Sequence, residues 1–180
     1  MGEIKSTLDL VMERTRHLSL SDEEKTHQHK EDFQKRLQGH LQRYADGVLT
    51  VEGLKEGIEA LQAELKVDDP TLPVSAMVDR MDPDRDNRSW LDLLAAFAPD
   101  VCGSVEAALE AYRRQRDDSL LEGAARLRDR LAQDHGISGA AVAPNPRKDP
   151  DCQTQLARLR QQAKSRLAAL VDESRQLPQT

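Results

Sequence analysis

A chain of 180 residues can form one domain, or one domain with an appendage, and a composition of 38% hydrophobic, 3% aromatic and 32% charged residues excludes a strand-rich fold. The formal net charge of -6 excludes a general electrostatic attraction to nucleic acid. The lack of an apolar run able to span a bilayer or act as a secretory leader excludes a membrane-spanning chain, and Cys102 and Cys152 are too few to staple one this long, so a cytoplasmic protein with two thiols is expected.

Helix-forming residues dominate what remains. The expected fold is all-α, an elongated helical bundle or hairpin of long amphipathic helices with partial coiled-coil character. Trp90, Phe33, Phe97, Tyr44 and Tyr112 are its only aromatics, so the core must be built mostly from Leu, Val and Ala, which suits thin helical layers.

Ile4, Leu8, Val11 and Met12 share a face and predict a first amphipathic helix over residues 3–17. Met1-Gly2 with Ser6 fits the short N-myristoylation pattern, although Glu3 beside the acceptor glycine argues against acylation. Ser21 and Glu24 have the spacing of a capping box and open a second helix that should end near Asp46-Gly47. Residues 22–32 contain nothing apolar, so this helix docks through Phe33, Leu37, Leu41 and Tyr44. His27 and His29, two apart, point away from each other on a helix, which favours a solvated polar face over a metal site.

Thr50 caps a third helix in which Val51, Leu54, Ile58, Leu61 and Leu65 form an a/d seam of about two heptads. Gly53 and Gly57 lie beside the seam. Each costs about 1 kcal/mol against Ala inside a helix, which suggests close approach of another backbone. The short loop between the second and third helices predicts an antiparallel hairpin.

Asp68-Asp69-Pro70 ends that helix, and residues 73–81 predict a short one. In Asp82-Pro83-Asp84-Arg85-Asp86-Asn87 the carboxylates alternate as in the first half of an EF-hand loop, so Asp82, Asp84, Asp86 and Asp92 are the candidate metal ligands, with calcium the ion. Asn87 replaces the usual glycine, and Leu93 stands where a bidentate Glu would be. Asp46-Gly47-Val48-Leu49-Thr50 mimics the second half of such a loop, with Gly53 at the closing position. An Asp/Asn-rich turn that starts a helix is the preferred reading of residues 82–87. Ser89 is then the cap, and Trp90, Leu93, Leu94 and Phe97 form a dense apolar face, either core or docking knob.

Residues 104–135 are the longest stretch without a breaker, with Ser104 as N-cap and Gly136 as C-cap. Val105, Leu109 and Tyr112, then Leu120, Ala124, Leu127 and Leu131, make a stripe that is interrupted over 113–119, where every residue is polar. Such a helix would be about 45 Å long at 1.5 Å per residue, so its middle should stand in water or be covered by another chain.

Residues 136–150 hold three prolines and two glycines and predict a linker or extended arm, with tryptic cleavage first at Arg147-Lys148. Asp149 and Pro150 start the last helix. Its Leu156, Leu159, Leu167 and Leu170 lie on one side, with Arg158, Arg160, Lys164 and Arg166 suited to an acidic neighbour such as residues 48–82. The expected organisation is a bundle over 1–135, a linker over 136–150 and a C-terminal amphipathic helix over 151–180, such that a chain ending at Gly139 stays folded and loses association.

Gly2-Glu3-Ile4-Lys5-Ser6-Thr7-Leu8, Met12-Glu13-Arg14-Thr15 and the later Gly136-Ile137-Ser138-Gly139, Ala141-Val142 and Pro144-Asn145 together resemble an uncharacterised family of small helical bacterial proteins. The resemblance implies a bacterial cytoplasmic setting and carries no activity, ligand or catalytic residue.

No P-loop, dinucleotide fingerprint, H-E-x-x-H or C-x-x-C occurs, so no catalytic residue and no cofactor is assigned. Cys102 and Cys152 stand near predicted helix starts, where the dipole lowers a thiol pKa. The expected function is a non-enzymatic helical interaction, scaffold or regulatory protein. It would bind a protein partner or itself, as a homodimer for example, through Trp90, Leu94, Phe97, Leu156, Leu159, Leu167 and Leu170, without nucleic acid or membrane. A calcium-binding regulatory module is the alternative, and an enzyme of unrecognised type the third.

Overall fold

The computed structural model describes residues 21–176, which hold six α-helices, one 3-10 turn and no strand. The expected first helix, the lipidation pattern and the Leu177-Pro178 stop lie outside the described residues. Among the described residues no helix is long and apolar enough to cross a membrane. The chain divides into two compact units, Met1–Asp69 and Pro70–Thr180.

The first unit is a helical hairpin. Helix α1, Asp22–Ala45, opens with the expected capping box: Glu24 N–H donates to Ser21 Oγ at 3.1 Å and Ser21 N–H to Glu24 Oε2 at 2.7 Å. Gly47 turns the chain at φ 71°, and Thr50 Oγ1 accepts from Gly53 N–H to start α2, Val51–Leu65. Leu54, Ile58 and Leu61 of the seam are buried, as are Phe33, Leu37 and Leu41 of α1. The helices run antiparallel. Arg36 meets Glu64 in a two-pronged pair of 2.6 and 2.7 Å, while His40 of α1 faces Gly57 of α2. A Cβ on Gly57 would lie 3.0 Å from the His40 ring, so this glycine admits an imidazole rather than the backbone expected, and Gly53 meets only ordinary contacts. Helix α2 stops on Lys66 in the left-handed region at φ 53°, with Val67 N–H bonded to Gln62 O as in a Schellman motif.

The second unit packs four helices: α3, Thr71–Asp79; α4, Arg88–Phe97; α5, Pro99–His135; and α6, Pro150–Gln176. Its buried core joins Val74 and Val78 of α3 with Met81, Leu94 of α4, Val101, Val105 and Leu109 of α5, and Leu167, Leu170 and Val171 of α6. Helix α5 starts five residues before Ser104, because Pro99 fits the first turn and Gly103 is tolerated inside a helix. It ends as expected on Gly136, at φ 63°.

The division of the chain differs from the expected one at 135/136. The linker folds back through the 3-10 turn Pro146–Lys148, and α6 then buries Cys152, Ala163, Leu167, Leu170 and Val171. The last helix is therefore part of the second unit's core. It comes close to α5 at Gly123, where an added Cβ would meet Pro146 Cβ at 3.1 Å and Cys152 Sγ at 3.2 Å.

Candidate functional site

The expected metal ligands sit in a loop that uses them otherwise. Asn87, only 2% exposed, closes the loop: its Nδ2 donates to the carbonyls of Asp82 and Arg85, and its Oδ1 accepts from Asp82 N–H. Its φ of -111° is not the left-handed conformation an EF-hand needs at that position. Asp82 Oδ1 accepts from Asp84 N–H, and Asp86 Oδ1 accepts from Arg88 N–H, which starts α4 in place of the expected Ser89 cap. Asp92 lies exposed on α4. Among the described residues no three His, Cys, Asp or Glu side chains come together to hold an ion, His27 included.

Arginines occupy Asp82 and Asp84. Arg160 of α6 reaches Asp82 Oδ2 through Nη2 at 2.9 Å and Asp84 Oδ2 through Nε at 3.2 Å. Of the acidic stretch 48–82 expected to face the basic last helix, Asp82 pairs with it, together with Asp84 just beyond. Tyr112 of α5 donates its hydroxyl to Asp84 Oδ1 at 2.6 Å, and Arg116 Nη1 stands 3.7 Å from the same oxygen while its Nε and Nη2 bond Asp117. Arg85 Nε lies 3.7 Å from Asp82.

The electrostatics follow. Burial pushes the Asp82 carboxyl up, but the Asp84 N–H, Arg160 and Lys164 outweigh it and hold the group below its usual value. Burial, then the hydrogen bond to Asp84 and its charge, push the Tyr112 phenol up to about 12 against the pull of Arg116 and Arg160. Tyr112 therefore stays a neutral donor.

This cluster falls on the polar interruption of the α5 stripe. Val105, Leu109, Tyr112, Arg116, Ser119 and Gly123 keep helical steps of three and four, so the same face continues through 113–119 with polar side chains in place of apolar ones. Ser119 is buried and its Oγ accepts from Gln155 Nε2 of α6 at 2.9 Å. Another chain is not needed to cover this part of α5. Sequence alone does not mark Tyr112, Arg116, Arg147 and Arg160 as site residues, yet Tyr112 and Arg116 lie in register on the stripe.

Two hollows flank the α5–α6 contact. One is a groove of about 560 Å³ between Ala107, Ala108 and Ala111 of α5 and Leu159, Ala163 and Leu170 of α6, with Ser104, Tyr112, Gln115, Gln162 and Arg166 also lining it. The other is a cleft of about 410 Å³ lined by Asp84, Tyr112, Arg116, Arg147, Leu156, Ala157 and Arg160. The expected interaction residues divide accordingly. Leu94 and Leu167 are core, Leu170 reaches both core and groove, Leu159 lines the groove and Leu156 the cleft. Trp90 and Phe97 are partly buried, and the Arg80 guanidinium lies 5.6 Å from the Trp90 ring centre.

Neither cysteine is disulfide-bonded. Burial, then Glu106 and Asp92, push the Cys102 thiol up, contrary to the lowering expected from a helix start, and it donates to Leu91 O. Cys152 is fully buried. Comparison with protein-family models, curated proteins and solved structures gives no match to this chain.

Proposed function

We infer that the protein is a non-enzymatic helical interaction protein whose working surface is the α5–α6 groove. The observation that carries the reading is the groove's composition. Ala107, Ala108, Ala111 and Ala163 keep both walls low, Leu159 and Leu170 supply apolar contact, and Gln115, Gln162 and Arg166 give it polar groups. Small residues let a third helix approach closely, and apolar contact among polar groups is how grooves take amphipathic helices. The occupant is an amphipathic helix, from a second copy of the chain or from a protein partner. The reading assigns no catalytic residue.

Molecular mass in solution, measured by light scattering over a concentration series, tests it together with Ala111→Arg. Ala111 is exposed, so the variant fills the groove without touching the core. The expected outcome is a wild-type dimer, or a defined helical partner bound by a monomer, lost in the variant with Trp90 emission and far-UV circular dichroism unchanged. A strict monomer whose pull-down from cell extract is the same in Ala111→Arg and wild type overturns the proposal.

A further inference from the structure

We propose that the cleft between loop 82–87, the 3-10 turn and helices α5 and α6 binds the phosphate group of a small molecule, held by Arg147, Arg116 and Arg160. The site shares Tyr112 with the α5–α6 groove, is otherwise lined by different residues, and does not depend on the reading given for that groove.

Charge is the first argument. Three arginines and one aspartate line the cleft, in a chain whose net charge is -6. The aspartate is already answered, since Asp84 accepts from Tyr112 and pairs with Arg160. Arg160 and Arg116 are balanced in turn by Asp82, Asp84 and Asp117, so the uncompensated positive charge at the cleft is that of Arg147, and it attracts an entering anion. Between Asp82 and Asp84 the cation is Arg160 itself.

Donor capacity is the second. A guanidinium presents N–H donors on both edges of a rigid fork, in the geometry that grips phosphate oxygens. Arg160 uses Nη2 and Nε on the aspartates and leaves Nη1; Arg116 uses Nε and Nη2 on Asp117, and its Nη1 stays beyond hydrogen-bond distance of Asp84 at 3.7 Å. The Arg147 side chain makes no hydrogen bond or ion pair with any described residue, although it stands at a cleft with two more arginines.

The backbone of Arg147 is also held in place. Asn145 Oδ1 accepts from its N–H at 3.0 Å, and Gln153 Nε2 of α6 donates to its carbonyl at 2.8 Å. Asp149, two residues on, caps α6 through Cys152 N–H and lies 3.7 Å from Arg130. Pro146 packs at Gly123, which has no side chain to keep it off. A backbone fixed on so many sides leaves only the side chain of this unpaired cation to be ordered on binding. The volume of about 410 Å³ suits a small molecule, and Leu156 and Ala157 offer only a short apolar wall, so the ligand is a compact hydrophilic phosphate compound.

Calorimetric titration of the full chain with inorganic phosphate, pyrophosphate and glycerol phosphate, against sodium chloride at matched ionic strength, tests the assignment. Saturable binding of at least one is expected; binding of glycerol phosphate identifies a phosphoester ligand, and binding of the inorganic anions alone identifies free phosphate. Arg147→Ala should weaken it about tenfold or more, the scale of a charge-assisted two-pronged contact, and Arg147→Lys should restore part of it. Because the Arg147 side chain bonds nothing in the protein, both variants should keep the wild-type Trp90 emission and urea midpoint. The proposal fails if none of the three saturates at about 10 mM, where even millimolar affinity would register. It fails equally if sodium chloride reproduces the signal or Arg147→Ala binds as wild type does.

Discussion

Replacing Gly123 by alanine should destabilise the second unit, whereas the same replacement at Gly103, also inside α5, should stabilise it. Alanine gains about 1 kcal/mol over glycine in a helix interior from backbone entropy and hydration. At Gly103 nothing lies within 4 Å of the new Cβ, so most of that gain is kept. At Gly123 the Cβ would sit 3.1 Å from Pro146 Cβ and 3.2 Å from Cys152 Sγ. Neither neighbour is the end of a flexible side chain: one is a proline in the pinned 3-10 turn, the other a short side chain in the first turn of α6. Overpacking of this kind costs about 1–3 kcal/mol, so the net loss at Gly123 is about 1 kcal/mol and the two variants differ by about 2 kcal/mol. Urea unfolding followed by emission of Trp90, the chain's single tryptophan, reads the second unit directly. If Gly123→Ala proves as stabilising as Gly103→Ala, then α6 and the turn do not lean on α5 there, and the account of how the unit closes is refuted.

A chain ending at Gly139 should lose the native Trp90 emission, because it strips Leu167, Leu170 and Val171 from the core; a cooperative unfolding transition in that truncation would show the rest of the unit to be self-sufficient. Lys66→Gly should stabilise the hairpin by about 1 kcal/mol by relieving a left-handed non-glycine residue, and a lowered thermal midpoint by circular dichroism would count against it. In Tyr44→Phe, absorbance at the phenolate band should report Tyr112 titrating near 12. The raised value means that its stabilisation is complete below about pH 10 and is lost as pH climbs through the folded value, so a midpoint near 10 with Trp90 emission still native would be decisive against the buried bond. Asp82 runs the other way: its depressed value gives stability that is complete above about pH 4 and lost as acid protonates it, so the urea midpoint of wild type should fall more steeply below pH 4 than that of Asp82→Asn.

Local signals served well where a short-range contact decides the outcome. Ser21 with Glu24, Thr50, Gly136 and Asp149 with Pro150 each place a helix end, because a cap needs only residues within four positions of itself. Ser104 and Ser89 misled for the same reason. Each has cap chemistry, but the two helices begin earlier, at Pro99 and Arg88, without a side-chain bond from their N-cap residues, and nothing local says that an available cap goes unused. The docking of α6 was legible only as a leucine stripe. Whether that stripe meets its own chain depends on the linker folding back, and Gly136, Gly139 and Pro144 leave the direction of return open. Arg147-Lys148 reads as a breaker-rich cleavage site, whereas Asn145, Gln153 and Gly123 hold it in a turn, contacts made partly across the fold.

The arginine cleft shows what a stripe search on α5 overlooks. Counting apolar residues breaks the helix at 113–119 and sends its middle into solvent, but counting positions does not: Arg116 and Ser119 occupy the steps that Leu109 and Gly123 define. A polar residue at a core-facing step must meet a polar partner or cost several kcal/mol in desolvation. The register therefore demands partners for Arg116 and Ser119, and the chain supplies Asp117, with Asp84 of the acidic loop 3.7 Å away, for the first and Gln155 of the last helix for the second. The same argument separates the calcium reading from the one observed. Alternating aspartates without a basic helix nearby remain candidate ligands, whereas here the leucine stripe that docks α6 carries Arg160 to them. Arg147 alone is left over once these demands are met, which is why it, and not the aspartates, marks the place where an external anion would complete the cluster.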